Sequence, residues 1–170
     1  MYELNNRIIR KNIAYKIFPH LVEVRNNIFT YETEEGYIFY IDHNSMSVTI
    51  HENCKETYFT FDSLGKFHGL RCINNYGSNE IFMERYNHGI PHGEWSYDKP
   101  CDYWVKNYDN GVLHGQFIQR YGKHKVEGTY NLGKFHGVVT YYSSHNFEFV
   151  ETKKEVYDNG VLKETKVHNI

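Results

Sequence analysis

The sequence predicts an all-β protein built from β-hairpins that stack side by side in one antiparallel sheet. Two observations on composition favour strands. Aromatic residues make up 17 % of the 170 residues, including 16 Tyr and 11 Phe, and aromatic side chains are typical of strands. Ala, the best helix former, occurs only at Ala14. The third observation is a short motif that repeats in fixed register, and it decides the architecture.

The motif has the form Tyr-x-x-Gly-x-x-His-Gly and occurs three times without gaps. The copies begin at Tyr86, Tyr108 and Tyr130, which are 22 residues apart. Two imperfect copies flank them, at 62–69 and 157–164. We assign structural roles to the recurring positions, which are Gly65, His68, Gly69, Tyr86, Gly89, His92, Gly93, Tyr108, Gly111, His114, Gly115, Tyr130, Gly133, His136, Gly137, Tyr157 and Gly160.

Each copy is predicted to be a hairpin. Strand-like runs precede the Tyr and follow the second Gly of the motif, at 80–86, 94–97, 102–108, 116–121, 125–130 and 138–142. The Asn, Asp and Gly residues between them permit a reversal. We expect the first Gly to adopt positive φ in the turn. We expect the second Gly to let an aromatic ring of the adjoining hairpin lie against bare backbone.

The alternation of side chains within these strands is imperfect. On a regular strand, the residue four positions before each motif Tyr shares a face with it. The residue midway between them is Glu84, Lys106 or Gly128, which is not consistently apolar. We therefore expect bulges or strong twist in the repeat strands.

These repeats resemble the MORN repeat family. The third copy matches best, with Gly128, Tyr130, Gly133, His136 and Gly137 in place. The resemblance covers 61–164, about five repeats and roughly three fifths of the chain. It implies an elongated, twisted antiparallel sheet of successive hairpins, an open-ended array similar to a solenoid.

We interpret residues 1–170 as a single repeat domain. Strand-like runs at 20–25, 28–31, 37–41, 46–50 and 57–61 predict that 1–60 contains degenerate N-terminal hairpins that cap the same sheet. Residues 165–170 are predicted to be a C-terminal tail. Within residues 1–19, apolar residues four apart indicate a short helix, although strand fragments fit equally well. Segment 143–152 stretches the period, which indicates a longer loop.

The sequence offers no pattern typical of catalysis or of metal binding. The motif histidines stand in successive hairpins about 10 Å apart, so they cannot converge on a zinc ion. We expect them to bond the turn backbone. No nucleophile elbow, P-loop or dinucleotide fingerprint occurs. We therefore predict no enzyme activity, no catalytic residues, no metal and no cofactor.

The cysteines and the apolar runs of the sequence predict the cellular compartment of the protein. Cys54, Cys72 and Cys101 match no zinc spacing, and we expect three reduced thiols that mostly pack as small apolar residues. No apolar stretch reaches 18 residues, and the start lacks the apolar run of a secretory signal. We expect a cytoplasmic protein. The bias toward Asn, Lys, Ile, Tyr and Phe resembles AT-rich genomes of large DNA viruses and protists.

The leading functional hypothesis is a protein–protein interaction or scaffold module with an unknown protein partner. Trp95, Tyr97, Trp104 and Tyr141 are candidates for its surface, because Tyr and Trp bury large areas at low entropy cost. Self-association as a homodimer through open sheet edges is one form of this hypothesis.

Two further functions stay open as alternatives. The resemblance implies binding to phosphoinositide membranes, yet residues 61–170 carry 13 basic and 13 acidic side chains, which gives little attraction to anionic lipid. Related short repeats in bacterial proteins suggest an antitoxin or immunity protein. The near-neutral charge of −2 argues against nucleic-acid binding.

Overall fold

The computed structural model describes residues 20–33, 36–42 and 44–168. These residues form one open antiparallel sheet of 17 strands, and they contain no helix. Each strand of five or more residues pairs with the next such strand along the chain, and three of them also pair with a two-residue strand that lies between. The chain therefore runs back and forth as a row of hairpins. The predicted all-β hairpin stack is thus confirmed. The helix or strand fragments predicted in residues 1–19 lie outside the described residues.

The strands fall into an N-terminal group and a repeat group. The N-terminal group is β1 (His20–Arg25), β2 (Ile28–Glu32), β3 (Ile38–Asp42), β4 (Ser47–Glu52) and β5 (Lys55–Phe61). The repeat group is β6 (Phe67–Asn75), β7 (Glu80–Asn87), β8 (Ile90–Pro91), β9 (Gly93–Lys99), β10 (Asp102–Asp109), β11 (Val112–Leu113), β12 (Gly115–Tyr121), β13 (His124–Asn131), β14 (Lys134–Phe135), β15 (Gly137–His145), β16 (Glu148–Asp158) and β17 (Val161–Val167).

The strands predicted between 20 and 61 form in the same sheet as the repeats, as expected. Two predictions at the C-terminal end need correction. Segment 143–152 is not a longer loop, because β15 and β16 continue through it and are joined by a two-residue turn at Asn146 and Phe147, with φ of 49° and 67°. The extra residues lengthen two paired strands, as the pair of Ser144 with Phe149 shows, and the register shifts by one residue between Tyr141 and Tyr142. The predicted tail 165–170 begins inside β17, which continues to Val167.

The first Gly of the motif forms the tight turn that the sequence predicts. In the hairpin that joins β10 to β11, Asn110 has φ of 47° and Gly111 has φ of 84°. Positive φ at both central residues is the type I′ geometry, whose twist matches that of the flanking strands. The same pair of positive φ values recurs at Gly89, Gly133 and Gly160 and the residue before each.

The His-Gly pair of the motif forms a bulge. Val105 pairs with Ile118 and Tyr108 with Leu113, so His114 and Gly115 are two extra residues on one strand. An insertion of two residues kinks the strand while keeping its side chains on their original faces. It therefore splits one long strand into β11 and β12, as it splits β8 from β9 and β14 from β15.

The second Gly of the motif adopts positive φ within the bulge. Gly69, Gly93 and Gly115 have φ between 80° and 88°. A Cβ at these positions would contact the side chain of Thr60, Arg85 or Asn107, and no aromatic ring lies within 4 Å of it. In the register, the motif Tyr of the next strand pairs with each of these glycines, as Tyr86 does with Gly69 and Tyr108 with Gly93. The positive φ of the bulge itself favours glycine.

A hydrogen bond between turns links each repeat to the one before it. The amide of Gly111 donates to the carbonyl of Pro91 over 2.8 Å, which lies in the preceding hairpin. The same bond joins Gly89 to Phe67, Gly133 to Leu113 and Gly160 to Phe135 over 2.7–2.8 Å. Because the turn amide is satisfied by the neighbouring repeat, the turns are held in a fixed row along one end of the sheet.

The compact apolar core lies in the N-terminal group. Six side chains with at most 6 % exposure form one cluster, namely Phe39, Ile41, Val48, Ile50, Phe59 and Phe61. They lie on a single face of β3, β4 and β5, because the register pairs Phe39 with Ile50 and Val48 with Phe59. The repeat strands continue this face, and the candidate site lies on that continuation.

Candidate interaction surface

One face of the repeat strands carries nearly all of the large aromatic side chains. We call it the aromatic face, and its register is set by the pairs Ile73 with Phe82, Phe82 with Tyr97, and Tyr97 with Trp104. Side chains directly opposite each other on antiparallel strands share a face. The aromatic face is thus the same face that carries the N-terminal core.

A row of aromatic rings lines the turn end of this face. The ring of Tyr86 lies 5.3 Å from that of Phe67 and 5.3 Å from that of Trp95, and the Trp95 and Tyr108 rings are 4.8 Å apart. After Tyr108 the row resumes with Phe117, Tyr130, Phe135 and Tyr157, at ring distances of 4.7–5.5 Å. These contacts hold successive repeats together, so the motif Tyr is a structural residue.

The positions that break the apolar alternation lie beside this row and have separate explanations. Glu84 is buried, and it accepts hydrogen bonds from Arg71 and from the hydroxyl of Tyr86. Burial and the Glu84 carboxylate raise the pKa of Tyr86 to about 12. Gly128 leaves room for its neighbours, since a Cβ there would lie 2.9 Å from Val139.

Lys106 is the third of these positions. It pairs across the strands with Trp95, and its ammonium lies 5.0 Å from the centre of the Trp104 ring. A cation at this distance is attracted by the ring face. Among the described residues no carboxylate lies within ion-pair distance of Lys106, in contrast to Arg71 with Glu84 and Lys153 with Glu155.

A groove opens on the aromatic face away from the turn row. It has a volume of about 450 Å³ and is lined by Lys55, Ile73, Asn75, Glu80, Phe82, Tyr97 and Trp104. We call it the aromatic groove. Phe82 stands edge-on to Trp104 at 5.7 Å and to Tyr97 at 6.4 Å, and the Tyr97 and Trp104 rings are nearly parallel at 6.3 Å. All three rings are half-buried.

A polar group fixes one side of the aromatic groove. The Glu80 carboxylate accepts a hydrogen bond of 3.1 Å from the Tyr97 hydroxyl and lies 3.0 Å from the Lys99 ammonium. Hydrogen bonds from Ser78, Lys99 and Tyr97 lower the pKa of Glu80. The negative charge of Glu80 is therefore balanced within the protein, and the Tyr97 ring is held in place.

The structure places the four predicted surface residues in different settings. Tyr97 and Trp104 both line the aromatic groove. Trp95 belongs to the aromatic row, and its indole N–H donates to the carbonyl of Arg85 over 2.8 Å, so its main contacts are within the sheet. Phe82 contacts all three of these residues and was not among the predicted ones. Its position four residues before Tyr86 was the signal that could have identified it.

Tyr141 lies on the aromatic face but outside the groove. Its hydroxyl donates to Glu155 over 2.7 Å, and the Lys153 ammonium lies 4.0 Å from its ring centre. Burial and the Glu155 carboxylate raise the pKa of Tyr141. Both polar partners and the ring face are thus occupied by neighbours on β16.

The opposite face of the sheet carries a second cavity of about 510 Å³. Its lining includes Val105, Asn107, Gln116, Ile118 and Glu127. Asn107 donates to the carbonyl of Gln116 over 2.9 Å, so part of this polar lining is already paired. Phe117 is the one aromatic residue in its lining, and its side chain belongs to the aromatic face.

The histidines of the motif lie at the exposed turn end and contact the next turn. His68 accepts a hydrogen bond of 3.4 Å from the amide of His88, and His136 accepts one of 3.4 Å from Asn159. His88 in turn lies 2.6 Å from Asp62 and stacks on His68 at 4.5 Å. No group of three or more potential ligands that could hold a metal ion occurs within 20–33, 36–42 and 44–168.

The three cysteines are free thiols. Cys72 is half-buried, and burial raises the pKa of its thiol. Cys54 and Cys101 are exposed, so the expected packing inside the protein is wrong for two of the three. Both stand at turns between strands.

The comparisons with known proteins give no identification. No model of a known protein family matches the sequence, and no curated protein matches it at a significant level. In the part of the chain that the structure describes, no helix is long and apolar enough to span a membrane.

Proposed function

We propose that this chain is a non-enzymatic interaction module, similar to MORN-repeat proteins, that binds a partner protein through its aromatic groove. The observation that carries the proposal is the groove itself. Phe82, Tyr97 and Trp104 form a contiguous aromatic lining on a sheet face that also holds the core, and they are only half-buried. Aromatic side chains in this state are typical of protein interfaces.

The rigidity of the groove supports the same proposal. Its residues come from β5, β6, β7, β9 and β10, each of which pairs with a strand on both sides. The rings are therefore fixed before a partner arrives, and binding orders few side chains. The MORN-like turns and bulges hold these strands in register, which gives the repeat a supporting role and the groove the binding role.

The proposal can be tested by affinity capture from lysate with three proteins. The wild-type chain is compared with Trp104→Ser, which removes a groove ring, and with Tyr141→Ser, which removes a ring of the same face outside the groove. We expect proteins that are retained by the wild type and by Tyr141→Ser and are lost with Trp104→Ser. The captured protein is then purified, and its direct binding is measured by calorimetry.

The comparison is valid only for folded variants, so circular dichroism and thermal unfolding of both are measured first. If all three chains capture the same proteins, the aromatic groove is not the binding site. If nothing is captured and the chain instead sediments with anionic vesicles, the function is lipid binding and the proposal of a protein partner fails.

A further inference from the structure

We propose that the aromatic groove binds an acidic, apolar segment of its partner, and that Lys106 is the side chain that recognises the acidic group. This inference rests on the proposed function and adds the chemistry of the partner. It starts from a contrast within the aromatic face, where Lys106 has aromatic neighbours and no carboxylate at ion-pair distance, while Arg71, Lys99 and Lys153 each have a carboxylate.

The surroundings of Lys106 make its charge available to a partner. Its ammonium lies over the Trp104 ring at 5.0 Å, and Trp104 is also a wall of the groove. Ring contact offers the ammonium no hydrogen-bond acceptor as strong as a carboxylate. A carboxylate of a bound segment would add that acceptor without separating an existing ion pair.

The same arrangement disfavours a cationic partner. A positive group would need the π-face of Trp104, which Lys106 already occupies, or the Glu80 carboxylate, which Lys99 and Tyr97 already occupy. Lys55 adds a second ammonium to the groove lining, although the Glu52 carboxylate lies 3.7 Å from it. The fixed charges therefore favour an anionic partner over a cationic one.

The geometry of the strands defines how the partner binds. The five groove strands are interior strands that pair with a strand on both sides, so a partner cannot add to their edge. It must be recognised through side chains. Four strand spacings make the groove roughly 19 Å across, which is the length of about six extended residues or about thirteen helical residues.

The test is selection from a displayed library of random linear peptides on three proteins. These are the wild type, Lys106→Glu and Trp104→Ser, after unfolding curves show that all three are folded. On the wild type we expect enrichment of peptides that combine Leu, Ile or Phe with Asp or Glu. On Lys106→Glu we expect Lys and Arg to replace the acidic residues, and on Trp104→Ser we expect the enrichment to be lost.

One synthetic peptide from the wild-type selection gives the quantitative form of the test. By calorimetry we expect Lys106→Glu to weaken its binding by about three- to ten-fold, the range typical of accessible ion pairs. We also expect the affinity to fall when salt is raised. A version of the peptide with Gln in place of Asp and Glu should bind the wild type and Lys106→Glu equally.

The results that overturn the inference are distinct from those that overturn the proposed function. Selection of neutral or basic peptides by the wild type, unchanged selection by Lys106→Glu, or no enrichment at all would each refute acidic recognition. In those cases a protein captured from lysate and lost with Trp104→Ser would still support the proposed function. A third result would refute both proposals. If no peptide is enriched, and phosphatidylserine vesicles bind the wild type but bind Lys106→Glu more weakly, the anionic ligand is a lipid.

Discussion

The N-terminal strands β3–β5 and the repeat strands β7–β16 share one sheet but bury their apolar side chains differently. Among the described residues, eight hydrophobic side chains are buried, and six of them lie in the N-terminal cluster. The repeat strands bury only Phe117 and Val139. Rings such as those of Tyr86, Trp95 and Tyr108 are half-buried and contact one another in a row.

The difference shows that one sheet can be stabilised in two ways. The N-terminal strands depend on burial, which contributes in proportion to the apolar area removed from water. The repeat strands depend more on glycine turns, on bonds between turns and on ring contacts, none of which requires a covered face. The repeat region can therefore keep aromatic side chains accessible, and that accessibility is what the proposed binding function needs.

The largest expected effect tests this contrast directly with two matched substitutions. Phe59→Ala removes a ring that is 3 % exposed in the N-terminal cluster and should cost about 3–5 kcal/mol of unfolding free energy. Phe82→Ala removes the same ring from the half-buried groove and should cost less than half as much, because less area is buried. Urea unfolding of both variants measures the difference. Equal losses would show that the repeat face is as well covered as the N-terminal core.

The next effect concerns a tightly packed place within the repeats, at Gly128. Gly128→Ala would put a Cβ 2.9 Å from Val139 and 3.0 Å from the Phe117 ring, and overpacking of this kind costs about 1–3 kcal/mol. Val139→Ala in the Gly128→Ala background should restore part of the loss, because it removes the contacting methyl group. If the second substitution only adds to the loss, the contact does not explain the glycine.

A smaller effect is expected for substitutions in the turns, where the two regions use different residues at positive φ. Gly111→Ala places a side chain at φ of 84° and should cost about 1–2 kcal/mol. Gly111→Asn should cost less, since Asn tolerates this conformation. The N-terminal turn already uses Asn27, at φ of 65°, so Asn27→Gly should leave the unfolding free energy unchanged or slightly raised. Thermal unfolding of the three variants checks this order, and a loss with Asn27→Gly would contradict it.

The smallest effect is a pH dependence where the two regions meet. Burial opposes ionisation of Asp62, but hydrogen bonds from His88, Lys66 and Leu64 outweigh it and lower its pKa. A carboxylate with a lowered pKa stabilises the fold above its unfolded pKa of about 3.9, and this contribution is lost as the pH falls through the folded value. The stability difference between wild type and Asp62→Asn should thus shrink between about pH 5 and pH 3. Urea unfolding across that range measures this difference. If the difference stays constant, ionisation of Asp62 does not contribute to the pH dependence of stability.

The sequence was sufficient to predict the strands and the turns, because each depends on local chemistry. Gly and Asn mark the type I′ turns, and aromatic residues mark the strands. Local chemistry was insufficient for segment 143–152, where a turn of Asn146 and Phe147 joins two long strands. Asn146 is a turn residue, but Phe147 stands where the type I′ turns of the motif have Gly, so the local sequence does not indicate a two-residue turn here.

The candidate site was less predictable because it depends on contacts between strands. The sequence identified Tyr97 and Trp104 but could not show that Trp95 belongs to the aromatic row, since that depends on register across a two-residue bulge. The irregular positions Glu84, Lys106 and Gly128 were recognised as exceptions without an explanation. Each is explained by a residue on another strand, which no spacing along one strand reveals.

The bond from a turn glycine to the preceding hairpin also affects how the length of this protein can change in evolution. Deleting residues 108–129, which is one period of 22, would join Asn107 to Tyr130. Gly133 would then take the position of Gly111 and donate to the carbonyl of Pro91. The amide of each turn glycine would still donate to a backbone carbonyl of the preceding hairpin. Recombination between repeats could therefore shorten or lengthen the sheet by whole hairpins while the aromatic groove stays intact.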